Sequence, residues 1–242
     1  MRRAFFETFL AGLLLLCPCG AARADNPLRI VVYGDSMVSG YQLQPEEAFA
    51  AQLDHKLKEA GYFDAQVANM SNTDETAGEG LQDLPALLAQ RPDMVILSLG
   101  AGDAMRGIAV DLIYRYVASV AQQLSAIQTY VVILEPGAPP SMGRDYARRL
   151  DAAFHIIPTL YRGVQLFPSS EGVASKPDLS LADGLHPNAR GVEAMVNGAF
   201  PLIDAGLRWK LSMLRYRQQY RGNSQINPQD FMPKGEPPKA MH

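Results

Sequence analysis

Apolar and polar positions alternate in blocks along this chain, and the blocks change period in a regular way. Leu28 to Tyr33 is a short apolar, β-branched run, and Glu46 to Ala60 follows with Phe49, Leu53 and Leu57 at helical spacing until Gly61. The pattern then predicts strands over Ala65 to Met70, Met94 to Leu99, Tyr130 to Leu134 and Val164 to Phe167. Between and after them it predicts helices over Glu79 to Gln90, Val110 to Ile127, Arg144 to Ile156 and from Asn188 onward, with Pro187 as a first-turn residue. The run at Met94 is rich enough in Val, Ile and Leu to be covered on both faces, as in a parallel sheet. Strands alternating with helices imply right-handed crossovers, so the expectation is a three-layer α/β/α sandwich over residues 25–207.

The two ends differ from this core. Arg2 and Arg3 precede an apolar stretch from Phe5 to Leu16, and Ala22-Arg23-Ala24 reads as a small-residue cleavage site, so residues 1–24 are expected to be a signal peptide. That expectation makes the protein exported, periplasmic or secreted. Cleavage there removes Cys17 and Cys19, leaving neither disulfides nor thiolate metal sites in the mature chain. From residue 208 to 242 the chain carries Arg208, Lys210, Arg215, Arg217 and Arg221 among Trp209, Leu211, Leu214, Tyr216 and Tyr220, then a segment rich in Pro, Asn and Gln. Two readings stay open for this basic aromatic helix and tail: a docking element for an envelope or polysaccharide-assembly partner, or a solvated extension of the last helix. The formal net charge of −3 argues against a general nucleic-acid binder.

Candidate chemistry sits at two distant points. Gly34-Asp35-Ser36 closes the first strand, where an open parallel sheet exposes reacting groups, and backbone N–H groups of a following helix can stabilise developing negative charge there. Asp183-Gly184-Leu185-His186 lies just before the last helix. Serine is a weak nucleophile without a base, His186 is a suitable base, and Asp183 can fix its tautomer. The bland reading leaves Ser36 as a helix cap and Asp183 and His186 as loop polars. Gly100-Ala-Gly-Asp-Ala-Met105 is only superficially a dinucleotide loop, because Met105 stands where a small residue is needed. No cofactor is expected, and no run of His, Asp and Glu has metal-ligand spacing.

Several blocks together resemble the SGNH hydrolases, also called GDSL esterases and lipases, and in particular their lysophospholipase, thioesterase and arylesterase branch. Ile30 to Tyr41 is similar to the first family block, Gly80 to Leu88 to the helix after the second, Leu97 to Gly107 to the third, and Asp183 to Asn188 to the fifth. The resemblance implies a flavodoxin-like fold with a parallel sheet, a Ser36–His186–Asp183 triad and a carboxylic ester substrate: a lysophospholipid, a short-chain acyl ester or an O-acylated polysaccharide. It also implies an oxyanion hole made by the backbone N–H of the nucleophile, a Gly N–H of the second block and an Asn side chain of the third.

Here the sequence departs from the pattern: Asp74 stands at the Gly position and Gly102 at the Asn position. Gly102 offers no side-chain donor. Asp74 keeps an N–H but adds a carboxylate, which opposes an oxyanion if it points inward and costs little if it points outward. Asn72 and Thr73 are candidate substitute donors. An active esterase, a slow hydrolase or acyl transferase, and a non-catalytic accessory protein in exopolysaccharide or cellulose production all remain readings of this set.

Overall fold

The computed structural model describes residues 27–169 and 176–219. The expected signal peptide with both cysteines, and Tyr220, Arg221 and the tail after them, lie outside the described residues. Five strands form one sheet: β1 (Arg29–Gly34), β2 (Gln66–Asn69), β3 (Met94–Ser98), β4 (Tyr130–Leu134) and β5 (Val164–Phe167), in the order β2-β1-β3-β4-β5. Every neighbouring pair is parallel. The central strands β3 and β4 are buried at every position, which explains their unbroken apolar runs.

Alternation along those strands divides the core in two. Val95, Leu97, Val131 and Ile133 face the cluster built with α3 (Ala77–Gln82), α4 (Leu84–Ala89), α6 (Val110–Ala126) and α7 (Gly143–Leu160). Met94, Ile96, Val132 and Leu134 face α2 (Phe49–Glu59) and α8 (Ala189–Gln219), whose Phe49, Leu53, Val192, Val196 and Ile203 fill the other layer. Each fully buried Leu, Ile or Phe contributes about 1.5–3 kcal/mol by leaving water, so these two clusters are what hold the layers on the sheet.

Element boundaries differ from the periodicity where local chemistry intervenes. The helix expected over Glu79 to Gln90 is two helices. It starts earlier because Thr76 caps it: Glu79 N–H donates to Thr76 Oγ1 (3.2 Å) and Thr76 N–H to Glu79 Oε2 (2.9 Å). It breaks at Asp83 because Pro85 has no N–H to return to Leu81. Pro187 is not a first-turn residue. It bridges to Ser180 in antiparallel fashion, and Asn188 caps α8 by accepting the Gly191 N–H at 3.0 Å.

The last helix continues without interruption from Ala189 through Pro201 to Gln219. Its second half is docked on the sheet: the Trp209 ring lies 6.2 Å from that of Tyr130, and Lys210 Nζ stands 3.2 Å from Asp93 Oδ1. No helix among the described residues is long and apolar enough to cross a membrane.

Candidate active site

The carboxyl end of β1 runs so close to β3 that only glycine fits. A Cβ on Gly34 would sit 1.9 Å from the Ser98 carbonyl oxygen, well inside contact distance. The Asp35 N–H then donates to that same carbonyl at 2.8 Å, after which the chain turns into α1 (Ser36–Ser39) and α5 (Ala101–Met105) follows β3 beside it. Asp35 laces these segments together. Its Oδ1 accepts from Met37 N–H (3.2 Å) and Ser98 Oγ (3.3 Å), and its Oδ2 from Ala101 N–H (3.1 Å). Burial pushes this carboxyl up to about 6, against the pull of those hydrogen bonds. Ser36 is thereby fixed at the strand end, with its N–H in the helix's first turn, where the helix itself supplies no acceptor.

His186 reaches Ser36 from a loop tied to itself. Leu181 N–H donates to His186 O (2.8 Å), Gly184 N–H to Leu181 O (2.9 Å), and Asn188 Nδ2 to Asp178 O and Ser180 O (both 3.1 Å). Asp183 Oδ1 accepts from the N–H groups of Leu185 (2.9 Å) and His186 (3.0 Å), leaving Oδ2 for His186 Nδ1 at 2.7 Å. His186 Nε2 lies 3.0 Å from Ser36 Oγ. A carboxylate at Nδ1 assigns the proton there and leaves the Nε2 lone pair facing the serine hydroxyl. Burial pushes Asp183 up, but the hydrogen bonds from the His186 ring and the two backbone groups outweigh it and hold the carboxyl below its ordinary value. Tyr41 packs on the imidazole, with ring centroids 4.5 Å apart.

The remaining two sequence-derived positions flank this trio. Asp74 lies on the turn after β2, which is anchored by Asn72 N–H to Gly34 O (2.8 Å) at one end and by Ala77 N–H to Asp103 Oδ2 (2.8 Å) at the other. Thr73 Oγ1 meets Ser39 Oγ at 3.1 Å, joining the turn to α1. The Asp74 side chain is exposed, so its carboxylate is open to solvent screening, and its N–H bends toward Asn72 Oδ1 at 3.3 Å. Gly102 is buried in α5, one residue past the N–H that holds Asp35.

Beside the serine opens a cavity of about 90 Å³, walled largely by apolar groups of Met37, Ala101, Met105, Pro136, Ala138 and Leu185. Sequence reasoning missed this wall, the clamps made by Asp35 and Asp103, and the Tyr41 contact. Asp35 and Tyr41 lie within the first block and Asp103 within the third, but only folding shows what each touches. The structure also gathers Glu135, Asp151 and His155, each offering an oxygen or nitrogen within 4.8 Å of the others. Sequence spacing hides this group because Glu135 follows β4 while the others lie on α7. His155 Nδ1 is 3.0 Å from the Asp151 carbonyl oxygen, an acceptor only, so that nitrogen carries a proton and is not free to hold a metal.

This arrangement can take a proton from a hydroxyl, attack a carbonyl carbon and return the proton to a leaving group. The chain is similar to several known proteins. The GDSL-like Lipase/Acylhydrolase family matches residues 32–194. An arylesterase of Vibrio mimicus is 35% identical over 182 residues, covering 74% of this chain and 88% of the relative. The thioesterase 1/protease 1/lysophospholipase L1 of Escherichia coli K12 is 31% identical over 179 residues, covering 72% of this chain and 81% of that protein. Among solved structures, the psychrotrophic esterase EstA of a Pseudoalteromonas species, in a form inhibited by monoethylphosphonate, superposes with a TM-score of 0.67 at 29% identity, covering 76% of this chain and all of the other. The chain belongs to the GDSL-like lipase/acylhydrolase family and is an esterase/acylhydrolase of the SGNH type.

Proposed function

We propose that the protein is an exported serine esterase that cleaves short-chain acyl esters through Ser36, His186 and Asp183. The observation that carries this reading is the unbroken chain Ser36 Oγ–His186 Nε2 (3.0 Å) and His186 Nδ1–Asp183 Oδ2 (2.7 Å). Ser36 Oγ bonds to the ester carbonyl carbon as its proton passes to Nε2, and the carbonyl π pair moves onto oxygen. Collapse of that oxyanion breaks the bond to the alcohol, which leaves with the proton from His186. Water, deprotonated by the same nitrogen, then releases the acid from Ser36.

The cavity limits the acyl group. A cavity of about 150 Å³ takes a benzene-sized guest, so about 90 Å³ suits an acyl chain of only a few carbons. The relatives' names include an arylesterase and a lysophospholipase; the small cavity favours the short ester over the long lipid chain, and an O-acetylated glycan satisfies the same limit. Export rests on the leader-like first 24 residues.

A second reading, a binding or accessory protein of exopolysaccharide or cellulose production that turns little over, is favoured by Gly102 and by the Asp74 N–H already turned toward Asn72. One experiment separates the two. A fluorophosphonate adduct on Ser36, lost in His186→Ala, together with faster release from p-nitrophenyl acetate than from the palmitate ester, supports the esterase; an inert serine supports the second reading.

A further inference from the structure

The proposed reaction places a full negative charge on the former carbonyl oxygen, and the side chain that meets it has not been assigned. Gly102 has no side chain, and the Asp74 N–H is drawn toward Asn72 Oδ1. One group near them carries strong N–H donors. Arg106 is four residues beyond Gly102, and its N–H donates to the Gly102 carbonyl at 3.2 Å. Side chains on a helix lean toward its N-terminal end, so a residue at this spacing covers the turn that contains residue 102.

With glycine at that position nothing keeps the long side chain away. A Cβ built on Gly102 would lie 3.4 Å from Arg106 Nη1 and 3.6 Å from the Glu75 carbonyl oxygen. The guanidinium therefore stands over the site a side chain at 102 would use, beside the turn that carries Asp74. Among the described residues its side chain has neither a hydrogen bond nor an ion pair within 4.0 Å. Its charge still reaches Glu79, whose carboxyl is held low first by the hydrogen bonds from Thr76 and also by Arg106.

We infer that the Arg106 guanidinium, occupying the space left open at Gly102, donates to the oxyanion of the tetrahedral intermediate and is a catalytic residue of this esterase. The inference rests on the esterase reading above. Five N–H donors on a permanently charged plane make Arg an effective partner for an oxyanion, and substrate covering the site removes the water that screens it in the free enzyme.

The test is a double-substitution cycle on the mature protein, using p-nitrophenyl acetate and, as a separate readout, binding of phenylboronic acid, which forms a tetrahedral anion on Ser36. Removing one oxyanion donor typically lowers turnover about a hundredfold to a thousandfold. Arg106→Ala is expected to lower kcat by about that range with little change in KM, and to weaken boronate binding, while Arg106→Lys restores only part of either. With Gly102→Asn present, an amide takes over the position, and Arg106→Ala should then cost less than about tenfold.

Unchanged kcat in Arg106→Ala, or a raised KM with kcat intact, overturns the inference while leaving the esterase reading standing. A loss equally large with and without Gly102→Asn also overturns it. If the wild-type protein neither hydrolyses the ester nor takes the fluorophosphonate, the esterase reading falls, and this inference with it.

Discussion

Replacing Asp183 by Asn changes one atom and tests the proton relay with little disturbance of the loop. Asp183 Oδ1 accepts two backbone N–H groups, from Leu185 and His186, at 2.9 and 3.0 Å. An Asn side chain must turn its only acceptor toward those two donors, because the opposite orientation sets an amide N–H₂ against them and forfeits both bonds, each worth about 1 kcal/mol. The amide nitrogen then faces His186 Nδ1, which must become an acceptor. The ring proton moves to Nε2, the nitrogen 3.0 Å from Ser36 Oγ. A protonated Nε2 cannot take the hydroxyl's proton. In hydrolases built on this relay the wrong tautomer costs on the order of 10⁴ in kcat, or about 5 kcal/mol at 1.36 kcal/mol per tenfold. Asp183→Asn should therefore lower kcat on p-nitrophenyl acetate by roughly four orders of magnitude and slow phosphonylation of Ser36, with the circular-dichroism melt unchanged. Retention of more than about a tenth of wild-type kcat would refute the reasoning.

Gly34→Ala, which drives a Cβ to 1.9 Å from Ser98 O inside a paired strand, is expected to abolish soluble expression or the cooperative melt; a melt within a few degrees of wild type contradicts the packing argument. Burial raises Asp35 to about 6, so the native state holds its proton to higher pH than the unfolded chain does. This group's contribution is favourable below its unfolded value and is withdrawn as pH rises from about 4 through about 6, by roughly 3 kcal/mol. In urea titrations Asp35→Asn should gain stability relative to wild type by about that much between pH 4 and pH 7; an unchanged or opposite trend rejects the assignment. Lys210→Met removes a mostly buried ammonium 3.2 Å from both Asp93 Oδ1 and Gln128 O, and should cost about 1–2 kcal/mol in the same titration, with no cost indicating that the end of α8 contributes nothing to the domain.

Much of the framework was legible in the chain because each signal is local. Apolar runs at Val31, Ile96 and Val132 need burial on two faces wherever they sit, and the periods of α2 and α6 require one buried stripe each. Ser36, Asp183 and His186 could be named because the chemistry of a triad constrains residue type. The boundaries that differed were set by backbone details: the Thr76 cap, the missing N–H of Pro85, and Pro187 held in a bridge to Ser180.

The sequence by itself thus determined a parallel α/β/α domain of this family, with Ser36 as the candidate nucleophile after the first strand and His186 as the candidate base before the last helix. It also placed Gly102 and Asp74 where the family resemblance implies an Asn and a Gly. Only the tertiary structure decided what those departures mean physically. The Asp74 carboxylate is exposed on a turn anchored at both ends, and the Arg106 guanidinium and the Glu75 carbonyl of that turn meet over Gly102. Distances between residues 150 positions apart, such as Ser36 and His186, follow from how two cores pack on one sheet, and no local pattern contains them.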